Sequence, residues 1–306
     1  MPATLETLFR TLSAFSPERV DFSGADWDAY VDWAIGQGLA PLAAYNLEYR
    51  LGGAGAPEWA RDRLMSIYQG SLNDNVMKLV NFKRAVDELE GRRIVLLGAA
   101  SHAEALYPHV AFRPVIDLHC LVPPMDVGPF ASFLARSEFK PEGETSGPSQ
   151  LVSDGRTRIL VSGALFASGD AGLFTRAVPF KVYGPSFLRL AHEDAVLAHV
   201  AALAATGFDV PAIEWVDLRE LVLGAPHVMG PYSRALDAEL LKRRAAELGV
   251  EQALWAALEV VQRLFPETGA AASAAQPELA AEAREGLVRS VVGKAAVVGA
   301  PAAERP

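Results

Sequence analysis

Apolar residues recur at helical spacing through the first ninety residues and again after residue 187. The strongest stretch is residues 63–90, where leucine, valine and alanine return at intervals of mostly three and four. Segments 26–36 and 41–50 predict two shorter helices. The later helices are predicted over residues 193–206, 211–223, 232–248 and 251–265. The pattern therefore places a helical region on each side of the middle of the chain.

The middle of the chain carries short apolar runs that are typical of buried strands. Residues 92–97 and 115–122 are the two strand candidates, and a helical pattern follows each of them. Asp154-Gly155 is a hairpin turn signal between two further short apolar runs. This order of strands, helices and hairpin predicts an α/β or α+β core.

Four regions follow from these patterns. They are an N-terminal helical region (1–90), an α/β core (91–187), a C-terminal helical domain (188–266) and an Ala-rich, largely flexible tail (267–306). Within the tail we predict a linker over 267–277 that adds little core, and a marginal amphipathic helix over 278–292. Truncation after Pro266 is accordingly predicted to leave thermal stability nearly unchanged.

Charge and cysteine content exclude several classes of function. The formal net charge is −9 and the calculated pI is about 5.2, so we expect no nucleic-acid partner. Cys120 is the one cysteine, which excludes an internal disulfide and fits a cytoplasmic protein. The longest weakly polar stretch, 195–207, is too short to span a membrane, so we expect no membrane partner.

One segment carries a recognisable motif. Residues 96–122 contain four short motifs in order. They are Leu-Leu-Gly-Ala at 96–99, Tyr107-Pro108, Arg113-Pro114 and Asp-Leu-His-Cys-Leu-Val at 117–122. The segment resembles a small family of bacterial nucleotidyltransferase-fold proteins, in which Leu-Leu-Lys-Gly, Tyr-Pro and Arg-Pro-x-Gly-Asp-x-Asp-Leu-Leu-Val occupy these places. The resemblance implies an α+β fold with a small mixed sheet and flanking helices.

Several residues differ from the family pattern at positions that the resemblance links to catalysis. Two metal-binding carboxylates of the family correspond to Asp117 and His119, so one has become an imidazole, which is a poor ligand for magnesium. Gly98-Ala99 stands where the family has Lys-Gly, so the lysine is missing. The strand expected to supply a third carboxylate, residues 157–162, contains no acid. The resemblance therefore implies a degenerate catalytic set.

The resemblance assigns candidate roles, and each has a plainer alternative. Asp117 and His119 are the candidate catalytic remnant, and with His102 they form a candidate metal site. The alternatives are a carboxylate that caps a neighbouring amide and histidines that are merely solvated. The positions that would contact phosphate are Gly98, Ala99, Ser101 and Arg113. For Arg113 the alternative is an ion pair with an acidic neighbour such as Glu104, and for Ser101 it is a helix cap.

Three functions remain open from the sequence. The first is a weakly active or inactive nucleotidyltransferase-fold protein that serves as a binding or scaffold module for a protein or nucleotide. The second is an active enzyme that uses Mg²⁺ or Mn²⁺ to transfer a nucleoside monophosphate from a nucleoside triphosphate to a small molecule or protein. The third is an unrelated helical regulator. The cofactor is unknown, and a metal with a nucleoside triphosphate is expected only if the protein is active.

Overall fold

The structure is a computed structural model that describes residues 4–20, 22, 24–53, 55–86, 93–142, 149–169, 172–180, 187–225 and 232–292. Four helices precede the sheet: α1 (Leu5–Leu12), α2 (Trp27–Gly36), α3 (Ala40–Tyr45) and α4 (Glu58–Val86). A π-helical turn, Asn46–Arg50, extends α3. The helices predicted over 26–36, 41–50 and 63–90 are therefore present, except that residues 87–90 lie outside the described part of the chain.

Within the described part of the chain, seven strands form one mixed sheet in the spatial order β3-β4-β5-β2-β1-β7-β6. The strands are β1 (Ile94–Leu97), β2 (Leu118–Leu121), β3 (Lys140–Pro141), β4 (Ser149–Ser153), β5 (Arg158–Ser162), β6 (Val178–Pro179) and β7 (Phe187–Arg189). The central pair, β1 and β2, is antiparallel, whereas β7 joins β1 and β5 joins β2 in parallel. The expected hairpin around Gly155 is the antiparallel pair β4 and β5.

Three helices accompany the sheet in the middle of the chain. They are α5 (Gly98–Ala105), α6 (Val127–Arg136) and α7 (Leu173–Arg176). The chain passes from β1 directly into α5 at Gly98, whose φ of +53° favours glycine at this turn. This α+β arrangement is the predicted fold class.

Alternation along β1 and β2 gives the sheet two buried faces. Leu96, Leu118 and Cys120 face a smaller core that also contains residues of α4 and α6. Val95 and Leu97 alternate with them and face a larger core. The C-terminal helices pack on this second face, and the candidate cavity described below lies between them and the sheet.

The C-terminal helices are α8 (His192–Ala205), α9 (Ala212–Leu223), α10 (Ala238–Leu248) and α11 (Glu251–Leu264). Three of the predicted helices match these closely, and α10 begins six residues later than the predicted 232. Side chains of α1, α2 and α3 share one core with those of α8 to α11. The two ends of the chain therefore pack together over one face of the sheet.

The structure differs from the expected linker at residues 267–277. A 3₁₀ turn, Pro266–Thr268, leads into α12 (Gly269–Ala275), and Ala272 and Ala275 are completely buried in the larger core. Alanine can supply core here because its small side chain lets a helix approach its neighbours closely. Helix α13 (Ala281–Leu287) and a π-helical turn, Val288–Val292, follow within the predicted 278–292. Residues 293–306 of the predicted tail lie outside the described residues.

No helix within the described ranges is long and apolar enough to cross a membrane.

Candidate functional site

A cavity of about 300 Å³ lies where β1 ends and α5 begins. Its apolar wall consists of leucines from the sheet edge and of alanines on α8, among them Ala198, Ala202 and Ala205. Its polar wall contains Ser101, His102, His119, His199, Glu214 and Tyr232. The alanines leave the space open because their side chains are small. The cavity therefore combines a largely apolar enclosure with a few polar groups, as ligand sites commonly do.

Behind the polar wall, Asp217 is a completely buried carboxylate with three side-chain donors. The Tyr107 hydroxyl donates to Oδ1 at 2.6 Å, and Arg113 Nε donates to Oδ2 at 2.8 Å. His102 Nδ1 lies 3.0 Å from Oδ2. A buried carboxylate needs such partners because burial removes it from water. Asp217 therefore anchors α9 to α5 and to the loop before β2.

Glu214 and His199 extend this network toward the cavity. Glu214 lies one helical turn before Asp217 on α9, so both side chains lie on the same side of the helix. Arg113 Nη2 donates to Glu214 Oε1, and Arg113 thereby joins both carboxylates. His199 on α8 donates from Nε2 to the Glu214 backbone carbonyl at 2.9 Å. Three helices thus contribute polar groups to one connected cluster.

The cluster fixes the charge state of its members. Burial alone would raise the pKa of Asp217, but Arg113 and His102 outweigh it and hold that pKa well below its usual range. Burial, with a further contribution from Asp217, raises the pKa of Tyr107 well above its ordinary value. Burial lowers the pKa of His199, and His102 lowers it further. At neutral pH Asp217 is therefore ionised, Tyr107 is protonated and His199 is neutral.

His119 lies on the cavity face of β2, apart from this cluster. Its Nε2 lies 2.9 Å from the Ser162 hydroxyl, and Ser149 also hydrogen-bonds to Ser162. Burial lowers the pKa of His119 to about 4, so the ring is neutral at physiological pH. His119 therefore presents a neutral imidazole to the cavity.

Asp117 precedes β2 and makes a different contact. Its two carboxylate oxygens accept from Arg158 Nε at 2.8 Å and Nη2 at 2.7 Å. Both side chains are more than one third exposed. Asp117 is not among the described residues that line the cavity. Its carboxylate is therefore committed to an ion pair at the sheet surface.

Comparison with known protein families shows which family this chain belongs to. Residues 23–266 match the family described as "uncharacterised nucleotidyltransferase". The chain belongs to this nucleotidyltransferase family. The match covers the sheet, the cavity and the helices α8 to α11. Neither the curated proteins nor the solved structures include a significant match.

The predicted metal set is not brought together in this member of the nucleotidyltransferase family. His102 and His119 both line the cavity, but Asp117 is engaged by Arg158. Among the described residues, the group whose ligand atoms lie within 4.8 Å of one another is His102, His199 and Asp217. The predicted convergence of Asp117, His119 and His102 is therefore wrong. Asp117 lies just before β2, and its side chain pairs with Arg158 on β5.

The predicted phosphate positions are divided between the cavity and the buried network. Gly98, Ala99 and Ser101 line the cavity at the first turn of α5. Ser101 hydrogen-bonds to Tyr232 instead of capping the helix, since it already lies inside α5. Arg113 does not line the cavity and is 4% exposed. It forms ion pairs with Asp217 and Glu214, which are acidic residues of α9 and not the nearby Glu104 that the sequence suggests.

Sequence reasoning missed Asp217, Glu214 and His199 as site residues. Asp217 lies in Trp-Val-Asp-Leu at 215–218, within the predicted helix 211–223, and the sequence pattern assigned it no role. An acid flanked by valine and leucine in a predicted helix is a signal that it is buried and needs a cationic partner. That signal identifies the acid without naming the partner, because Arg113 lies about a hundred residues earlier.

Proposed function

We propose that this chain is a nucleotidyltransferase-fold protein without efficient transferase activity, which acts as a binding or scaffold module. The proposal rests on the side-chain contacts of Asp117 and His119, the two positions that correspond to the metal-binding carboxylates of the family. Asp117 is paired with Arg158 outside the cavity, and His119 is a neutral imidazole held by Ser162. Neither position offers the cavity a free carboxylate.

Magnesium with a nucleoside triphosphate, which the family implies, does not fit the residues that are present. Two-metal transfer needs several oxygen ligands around ions about 4 Å apart. Among the described residues that line the cavity, the one carboxylate is Glu214, and Arg113 occupies one of its oxygens. Strand β5 supplies Leu160 and Ser162 to this face and contains no acid. The described lining therefore does not supply the ligands of a two-magnesium site.

The phosphate chain would also lack cationic partners. The described lining of the cavity contains neither lysine nor arginine. Arg113 donates from Nε, Nη1 and Nη2 to Asp217, the Pro114 carbonyl and Glu214, so its donors are largely occupied. Catalysis of phosphoryl transfer depends mostly on such electrostatic stabilisation. Loss of these groups supports binding without transfer.

The cavity itself supports a binding role. Its volume of about 300 Å³ lies at the lower end of the range of small-molecule sites. The wall is mainly alanine and leucine, with imidazoles, hydroxyls and the Glu214 carboxylate as the polar contacts. These groups favour a compact, weakly charged ligand over a triphosphate. A protein partner at another surface is compatible with this role as a scaffold.

A transfer assay tests the absence of catalysis. The full-length protein is incubated with ATP labelled at the α-phosphate and with Mg²⁺ or Mn²⁺, and label on the protein and on added hydroxyl compounds is measured. We expect no metal-dependent transfer above that of Asp117→Ala. His119→Asp should not restore transfer, since the third acid and the lysine are still missing. Robust transfer that Asp117→Ala abolishes would overturn the proposal.

A further inference from the structure

Three buried side chains from three different helices converge beside the cavity. His102 comes from α5, His199 from α8 and Asp217 from α9, and one ligand atom of each lies within 4.8 Å of the others. Imidazole nitrogen and carboxylate oxygen together are the ligands that zinc and neighbouring transition metals take in proteins. We propose that His102, His199 and Asp217 bind a transition-metal dication, and Zn²⁺ is the ion to test first.

The hydrogen bonds leave His199 with a free ligand atom. Its Nε2 lies 2.9 Å from the backbone carbonyl of Glu214, and a carbonyl can only accept. The proton of the neutral ring is therefore on Nε2, and Nδ1 carries the lone pair. Metal-binding histidines usually donate their second nitrogen to a carbonyl or carboxylate in this way. His199 is thus oriented as a ligand would be.

His102 and Asp217 already lie at a spacing that one ion can bridge, and Asp217 keeps acceptor capacity of its own. Oδ2 lies 3.0 Å from His102 Nδ1, so a metal bound by both atoms would take the place of the proton between them, while Arg113 Nε continues to donate to Oδ2. Among the described residues, Oδ1 accepts from the Tyr107 hydroxyl. An ionised carboxylate oxygen accepts more than one contact, so Oδ1 retains a position for a metal. Arg113 and Tyr107 then form the outer shell that fixes the ligand.

Glu214 completes the site on the side of the cavity. Its Oε2 lies 4.0 Å from His199 Nδ1, which is too far for a hydrogen bond. Two ligands of one zinc ion, each bound at about 2.1 Å in tetrahedral geometry, lie roughly 3.4 Å apart. A small side-chain rotation would therefore let both atoms bind one ion. Because Glu214 and both histidines line the cavity, an ion can enter through it.

The charges of the cluster also favour a cation. Asp217 and Glu214 supply two carboxylates, and Arg113 supplies one guanidinium. The two carboxylates therefore leave one negative charge that the guanidinium does not balance. The proposal does not depend on the absence of transferase activity, because its ligands differ from the positions that the family uses for magnesium.

Metal binding by the full-length protein tests this site directly. Metal-free protein is titrated with Zn²⁺ by calorimetry against a competing chelator, and with Co²⁺ by visible absorption. We expect one ion per chain and a Co²⁺ spectrum of four-coordinate nitrogen and oxygen ligation. His199→Gln and His102→Gln should each weaken Zn²⁺ binding by at least about 100-fold, since loss of an outer-shell partner alone costs about 10–100-fold. His119→Gln is the matched control, since it changes a cavity histidine outside the cluster.

Two results would overturn the proposal. One is the absence of a stoichiometric Zn²⁺ or Co²⁺ complex in the wild-type protein. The other is an equal loss of affinity in His119→Gln and His199→Gln. If a cluster variant fails to fold, imidazole ¹⁵N shifts of the wild-type protein decide. Zn²⁺ must then shift the His102 and His199 resonances and leave His119 unchanged, and any other pattern contradicts the site.

Discussion

At the scale of single residues, burial distinguishes two aspartates that pair with arginine. The side chain of Asp217 is 0% exposed beside Arg113, whereas that of Asp117 is 38% exposed beside Arg158. Removing one partner of a buried pair leaves an uncompensated charge, so Asp217→Ala should destabilise the fold by about 3–5 kcal/mol. Urea unfolding at pH 7 measures this loss of free energy.

Asp117→Ala is the matched control for that measurement. Its arginine partner is open to water, which screens the pair and solvates the remaining guanidinium. We expect a far smaller change in unfolding free energy, even though the two hydrogen bonds to Arg158 are short. Equal losses for the two variants would mean that burial of Asp217 is not what makes its pairing important.

His119 should make stability depend on pH. Burial lowers its folded-state pKa to about 4, below the unfolded value of roughly 6.5. As pH falls below 6.5 the unfolded chain takes up the proton first, so folding loses stability until pH 4 is reached. The difference amounts to about 3 kcal/mol at most.

His119→Gln removes this titration and retains an amide that can bond to Ser162. The loss of unfolding free energy between pH 7 and pH 4 should therefore be smaller in the variant than in the wild type. Urea unfolding at both pH values measures the two losses, and the contributions of the other histidines are common to both proteins. Identical losses would show that His119 is protonated in the folded state near pH 6.

The residues of the site could be predicted from the sequence only in part. His102 and His119 were identified because they lie within a motif segment, and both line the cavity. The contacts of Arg113 with Glu214 and Asp217 join positions 101 and 104 residues apart. Local spacing contains no information about such pairs, since they depend on how α9 packs against the sheet.

At the scale of secondary-structure elements, α12 is a small helix with a structural role. Ala272 and Ala275 are fully buried and Thr268 is buried just before the helix. Truncation after Pro266 should therefore lower the melting temperature, on the order of 5 °C for the loss of a few kcal/mol. This expectation replaces the sequence-based one, which treated these residues as a linker. Circular dichroism on heating measures the change.

Two point variants test whether the packing of α12 stabilises the fold, without changing the length of the chain. Ala272→Glu introduces a carboxylate into the core and should lower the melting temperature by several degrees. Ala274→Glu places the same side chain at an exposed position of the same helix and should change it little. If both variants melt as the wild type does, α12 is not part of the core.

The helices were predicted better than the strands. Apolar spacing identified α2, α4, α8, α9 and α11 because apolar residues recur at helical intervals over several turns in each of them. Strand β7 was missed, since Phe187–Arg189 is three residues long and forms by pairing with β1, about ninety residues earlier. Strands β3 and β6 have two residues each, which is too short to show the alternation of apolar and polar residues that predicts a strand.

At the scale of the whole molecule, the site lies between the sheet and helices from the C-terminal half. Val95 and Leu97 of the sheet pack into the core that also contains side chains of helices from both ends of the chain. The cavity lies on this face, and its polar wall is built from α5, β2, α8, α9 and Tyr232. The cavity is thus bounded by the sheet on one side and by the helices on the other.

Calorimetric titration with nucleoside triphosphates tests the central claim most directly, because it requires no knowledge of an acceptor. The full-length protein and Asp117→Ala are titrated with ATP, GTP, CTP and UTP in the presence of Mg²⁺ or Mn²⁺. We predict that binding is weak or absent, and that Asp117→Ala does not alter it. Tight, metal-dependent binding that is lost in Asp117→Ala would contradict the account.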